Sequence, residues 1–216
     1  MTRSSPAPGP GAAESRRRGP VPAGPTRTPR ATTLLDAAIS VIADDGLRGL
    51  THRSVDARAD LPAGSASYYF RSRSALLQGV LGRLLELDAA DYATLGASAP
   101  PPSADPRALI RTWTKLFAHW LGPGRERLRA RYTLYLEGRH HPELQQMLDA
   151  ASAQVIAGAH DLLRAAGSPS PQRDARLLVA FLDGLLYDQL IRPHPPVSTA
   201  ELRRRIGVVV NAVWPG

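Results

Sequence analysis

From Arg30 onward, large apolar residues recur at intervals of three and four, and no alternating β-branched run competes with them. That spacing places side chains on one face of a 3.6-residue helix, so the pattern predicts an all-α fold. Leu35, Ala38, Ile39 and Ile42 define the first such face, and Asp45-Gly46 closes the helix with a residue free to adopt positive φ. Thr51 is a ready N-cap for a second helix, about 51–59, that turns Val55 and Ala59 inward. Leu61-Pro62-Ala63-Gly64 breaks the chain before a third helix ending near Phe70, and Pro62 suits the first turn of that helix. Two short helices joined by a tight turn make a helix-turn-helix.

Beyond Ser74 the same period predicts a second, larger helical domain. A long helix carries Leu77, Val80, Leu81 and Leu84 and runs to about Leu95, where Ala99-Pro100-Pro101-Pro102-Ser103 forms a linker. Helices follow over about 106–121, 125–137, 143–166, 171–191 and 199–214, each bounded by Gly, Pro or Ser. The division expected is therefore a tail over 1–29, a helix-turn-helix domain over 30–75 and a C-terminal domain over 76–216. The first 29 residues hold seven Pro and four Gly with almost nothing large and apolar, which predicts a disordered tail. Its Arg16, Arg17 and Arg18 read first as solvated linker and second as an arm for DNA phosphates or a minor groove.

Composition excludes several classes. With no Cys in 216 residues there is no disulfide scaffold and no thiolate zinc site, and no uninterrupted apolar run is long enough for a membrane span. No secretory signal precedes the helices, so the cytoplasm is the expected location. The formal charge of +8 favours an anionic partner, but lysine appears once, at Lys115, and Arg richness with abundant Ala, Gly and Pro reads mainly as coding bias. Position has to identify the partner. His119, His140-His141, His160, Glu137 and Asp161 form no HExxH, and neither a Gly-rich phosphate loop nor GxSxG occurs, so no catalytic site, metal site or cofactor is expected.

The stretch GLRGLTHRSVDARADLPAGSASYYFRSRSALL, within 33–77, resembles the N-terminal DNA-binding domain of the TetR family of transcriptional repressors. The likeness rests on the first helix ending in Asp-Gly, on Thr51-x-Arg53 opening the second helix, on Gly64, on Tyr68-Tyr69-Phe70 and on the Arg-Ser-Arg-Ser-Ala-Leu entry to the next helix. It departs from the family pattern at Asp56, where a small apolar residue is usual, and at Ala66 and Ser67, where a larger aliphatic and then Tyr are usual. The last change removes an aromatic contact to the phosphate backbone.

The residues themselves suit the chemistry. A recognition helix in the major groove needs small or polar side chains at its N-terminal end, which Ala63, Gly64, Ser65 and Ser67 supply, and Tyr68 then reaches a thymine methyl or a phosphate. Thr51, Arg53, Tyr69, Arg71 and Arg73 resemble the family's phosphate-clamping positions. Phe70 reads as packing of the third helix on the first, Tyr69 equally as packing or clamp, and His52 as a solvent-facing residue. The partner implied is a double-stranded, palindromic DNA operator.

The resemblance implies further partners. Leu178, Phe181, Leu182 and Leu185, the small face of Ala180 and Gly184, and the stripe Leu202, Ile206, Val209 and Val213 suit helix pairing within or between subunits. In the TetR family the last two helices form the dimer interface, so a C2 homodimer is expected. The family also implies a ligand pocket in the C-terminal domain. Trp113, Phe117 and Trp120 are first a core stripe, Tyr132, Tyr135 and Arg139 are placed to border a cavity, and Asp183 and Tyr187 lie on a later helix. The ligand contacts expected are Trp113, Phe117, Tyr132, Tyr135 and Tyr187, for a small aromatic or apolar effector whose binding releases a repressor from its operator. The rival reading is a helical DNA-binding or adaptor protein controlled by a protein partner with no small inducer.

Overall fold

A computed structural model describes residues 28–96, 105–192 and 195–214, and among these every regular element is helical. The basic tail and the proline-rich linker after the long helix lie outside the described residues. The helices are α1 (Pro29–Gly49), α2 (His52–Arg58), α3 (Ser65–Tyr69), α4 (Arg73–Gly96), α5 (Pro106–Leu121), α6 (Arg125–Glu137), α7 (Pro142–Ala165), α8 (Pro171–Ile191) and α9 (Thr199–Val213).

Local chemistry accounts for most of the boundaries. Thr28 caps α1 by accepting the N–H of Ala31 at 3.3 Å, with Pro29 in the first turn. Gly46 does take a positive φ of 69°, but the helix does not stop there. It kinks and resumes for one more turn, because Leu47 and Leu50 are both buried and hold the chain against the core. Thr51 and Ser54 form a reciprocal capping box, Thr51 Oγ1 accepting the Ser54 N–H at 3.0 Å and Ser54 Oγ accepting the Thr51 N–H at 2.9 Å. Asp60 closes α2 with φ of 52°, in the left-handed region. Pro62 falls in the turn and not in the first turn of α3, which starts at Ser65 behind a left-handed Gly64. The turn is tighter than the expected one, since the Leu61 N–H donates to Asp56 C=O and the Ser65 N–H to Pro62 C=O.

Two apolar cores result. The first contains Leu34, Leu35, Ala38, Ile42, Val55, Ala66, Leu77 and Leu81 of α1–α4, together with Ala130 and Leu134 of α6 and Leu144 and Leu148 of α7. The second joins α5, α8 and α9 with part of α6 and α7, through Phe117, Trp120, Leu128, Leu163, Leu178, Leu182, Leu202 and Ile206. The helix-turn-helix head therefore shares its core with two helices of the C-terminal bundle. Phe70 packs on the head as expected: a Cβ at Gly79 would meet its ring and Leu35 at 3.0 Å, tight enough that these side chains would have to give by a few tenths of an ångström.

Candidate nucleic-acid interface and aromatic wall

The reading head is built from α2, the turn and α3. Beneath it, Asp56 is 4% exposed and accepts two backbone N–H groups of the following helix, Oδ2 that of Gly64 at 2.7 Å and Oδ1 that of Ala66 at 2.6 Å. His52, read from sequence as solvent-facing, is half-buried, and its Nε2 donates to the carbonyl of Phe70. That bond ties the start of α2 to the end of α3.

The expected contact residues are displayed unequally. Tyr68 is 78% exposed, and Arg53, Ala63, Gly64, Ser67 and Arg71 are exposed as well. Ser65 is half-buried, with Oγ donating to the Pro62 carbonyl at 2.7 Å. Thr51 is exposed but its hydroxyl serves the capping box. Tyr69 is half-buried against the first core and meets the edge of Tyr68 at 5.1 Å between ring centroids. Arg73 differs from the other arginines: its guanidinium donates to the carbonyls of Leu47 and Leu50, closing the C-terminal end of α1. Arg73 is nevertheless exposed, and these carbonyls take two of its five N–H donors.

The C-terminal candidates separate into two groups. Tyr132 donates to the Asp183 carbonyl at 3.1 Å and meets Tyr187 edge-on at 5.7 Å, so α6 and α8 share one aromatic wall. Trp113 and Phe117 belong to the second core, Phe117 being 4% exposed. Tyr135 packs against the first core while remaining within electrostatic reach of Arg131 and Asp183. The wall continues through residues that the aromatic spacing did not reveal. Tyr92 of α4 lies 5.5 Å from Trp120, whose Nε1 donates to Asp91 at 3.0 Å. Arg127 donates to Asp91 at 2.9 Å and to His119 Nε2 at 3.0 Å, and Arg131 donates to Asp88 at 2.6 Å. The available signal was complementary spacing, with acids at 88 and 91 on α4 and arginines at 127 and 131 on α6.

Desolvation pushes the Tyr92 hydroxyl above its ordinary pKa. Desolvation also raises Tyr132 and, against the opposing charge of Arg131, Asp88 and Asp183. The tyrosines remain protonated donors at neutral pH. No group of three or more His, Asp or Glu among the described residues is placed to hold a metal ion.

The last helices carry two kinds of apolar residue. Leu178, Leu182, Leu202, Ile206 and Val209 point into the subunit and are buried there, so these parts of the expected pairing stripes are core. The outward row is Leu177, Phe181 and Ile191 on α8 with Val208 on α9, each more than half exposed. A groove of about 480 Å³ runs beside it, lined by Ala180, Phe181, Gly184, Leu185, Arg204 and Val208. No described helix is long and apolar enough to cross a membrane.

Comparison with known proteins agrees with this architecture. The bacterial regulatory protein tetR family profile matches residues 34–80, and the tetracyclin repressor-like C-terminal domain profile matches residues 104–213. The chain is 27% identical over 183 residues to an HTH-type transcriptional regulator BetI of Paraburkholderia phymatum, covering 82% of this chain and 89% of that relative. Among solved structures it is similar to a TetR-family member from Streptomyces coelicolor, at 30% identity and TM-score 0.65 over 88% of this chain and all of that one. It is also similar to the multidrug binding protein EbrR complexed with ethidium, at 29% identity and TM-score 0.64 over 87% of this chain and 99% of that one. The head with its exposed third helix and the helical bundle behind it place this chain in the TetR family of DNA-binding transcriptional regulators, which are not enzymes.

Proposed function

We propose that this protein is a homodimeric, cytoplasmic repressor that leaves a palindromic operator when a small aromatic or apolar effector enters the C-terminal bundle. The observation that carries the reading is the display of Ser67 and the 78% exposed Tyr68 on a helix whose backbone is tied down on its inner side. Side chains held in this way suit base reading, while Arg53 and Arg71 beside them suit phosphate contact. A dimer sets two such heads at successive major grooves, roughly 34–36 Å apart.

The aromatic wall of Tyr92, Trp120, Tyr132 and Tyr187 supports the effector class, as does the similarity to a protein solved with ethidium. Its position supports a mechanism. One face of α6 borders the wall through Arg131 and Tyr132, and the other places Ala130 and Leu134 in the core of the head. An effector that displaces α6 or α4 therefore moves the head with it, and the two heads leave groove register. Such coupling amounts to about 1–3 kcal/mol and is reciprocal, so operator weakens effector binding by the same factor.

Selection of duplexes from a random pool by the purified protein tests the DNA role, the expected outcome being a palindrome. A thermal-shift screen of aromatic compounds then tests the effector role, because a ligand of the folded state raises the melting temperature by mass action. Equal affinity of a hit for free and operator-bound protein would rule out release by effector.

A further inference from the structure

The N-terminus of α3 is capped from a distance. Its own N-cap, Gly64, makes no side-chain hydrogen bond, and neither Pro62 nor Ala63 before it carries a side-chain acceptor. The acceptor comes from α2 instead, where the two oxygens of Asp56 take the N–H groups of Gly64 and Ala66. No cation pairs with this buried carboxylate among the described residues. Charge-assisted N–H bonds and the positive end of the helix offset its desolvation.

The consequence reaches DNA recognition. A five-residue helix has no stability of its own, so the placement of α3 follows the groups that hold it. At the start of α3 the N–H groups of Gly64 and Ala66 are taken by Asp56 and that of Ser65 by the Pro62 carbonyl, and a carboxylate lies behind this turn. Attraction of α3 to any phosphate backbone is weakened, while the orientation of Ser67 and Tyr68 is preserved.

We propose that Asp56 is a positioning residue for operator recognition, which raises the ratio of specific to non-specific DNA binding by clamping the start of α3 and setting a negative charge behind it. The inference rests on the DNA-reading role proposed above. Its test uses the full chain, a duplex selected from a random pool by the wild-type protein, and a scrambled duplex of equal length, titrated by fluorescence anisotropy at several salt concentrations. Asp56→Ala should lower affinity for the selected duplex at least tenfold and leave binding of the scrambled duplex unchanged or stronger. Asp56→Asn keeps the shape and one acceptor, and should restore part of the ratio. Circular dichroism at the assay temperature confirms that each variant is folded, and the Asn variant decides the matter should the Ala variant not fold.

Loss of both affinities by the same factor, or a ratio unchanged in the folded variants, overturns the role of Asp56 alone. A wild-type protein that selects no sequence overturns the DNA-reading role and this inference together.

Discussion

Arg131 Nη1 donates to Asp88 Oδ2 at 2.6 Å, and the guanidinium sits 4.9 Å from the centroid of the Trp120 ring. The pair joins α4, which leaves the reading head, to α6, which packs under it. Both side chains are largely buried, at 18% and 20% exposure, so each depends on the other for compensation. Asp88→Ala should therefore destabilise the fold by about 3 kcal/mol by leaving a mostly buried guanidinium unpaired, and Asp88→Leu with Arg131→Met should recover much of that loss. Urea denaturation of both variants checks this, and a double variant less stable than the single one would contradict it.

The arginines of the head should separate in two assays. Arg53→Ala and Arg71→Ala should leave the melting temperature near wild type and each reduce the slope of log K against log salt by about 0.9, as expected for one lost phosphate contact. Arg73→Ala should instead cost about 1–3 kcal/mol of stability, because its charged donors satisfy the carbonyls of Leu47 and Leu50. Salt titrations of DNA binding beside thermal denaturation distinguish the two.

Tyr68 touches little within the subunit apart from the edge of Tyr69. Tyr68→Ala should preserve stability and shift preference among operator variants, as expected for a side chain that meets base edges. Competition binding with single-base operator variants provides the measurement, and a uniform loss across all variants would assign Tyr68 to the phosphate backbone.

Phe181 is 62% exposed on the outward row of α8, whereas its neighbour Leu182 is 7% exposed. If α8 and α9 form the subunit interface, Phe181→Glu should yield a folded monomer, because the charge would fall in that interface without entering the core. Leu182→Glu should unfold the bundle. Sedimentation equilibrium and circular dichroism report the two outcomes, and a wild-type monomer at micromolar concentration would contradict the dimer.

Glu201 at the start of α9 accepts hydrogen bonds from Arg204 and Arg205, at 2.8 and 2.7 Å. These bonds hold its carboxyl down to about 2, below the ordinary value of 4.5. A carboxylate depressed in the folded state adds stability above its unfolded pKa and loses that contribution as pH falls towards the folded one. Wild type should thus melt above Glu201→Gln at neutral pH, and the gap should close between about pH 4.5 and 2. Added salt should shrink it, since the group is exposed. Melting curves across that pH range test the sign.

Much of the fold was legible because helices advertise themselves at short range. The α5, α6 and α8 boundaries agree with those read from periodicity and from Gly, Pro and Ser, and Thr51 caps α2 as its position suggests. The third helix was harder. Pro62 looks like a first-turn residue from sequence, but the left-handed Asp60 and Gly64 tighten the turn and delay α3 to Ser65. The candidate site was partly visible: the exposed residues of the head lie within one short stretch, whereas the aromatic wall and its ion pair draw Asp88, Tyr92, Trp120, Arg131 and Tyr187 from separate helices.

By itself, the sequence determined the all-α class, the helix-turn-helix and the polar and aromatic residues that its short third helix displays. Those features depend on spacings of three or four residues and on caps that reach no further than one turn. Only the tertiary structure decided that Asp56 holds α3, that Arg73 closes α1, that Asp88 meets Arg131 across 43 residues of sequence, and that the head shares a core with α6 and α7. Each of these depends on how two helices cross, and a crossing is set by the sum of many packing contacts that no local spacing records.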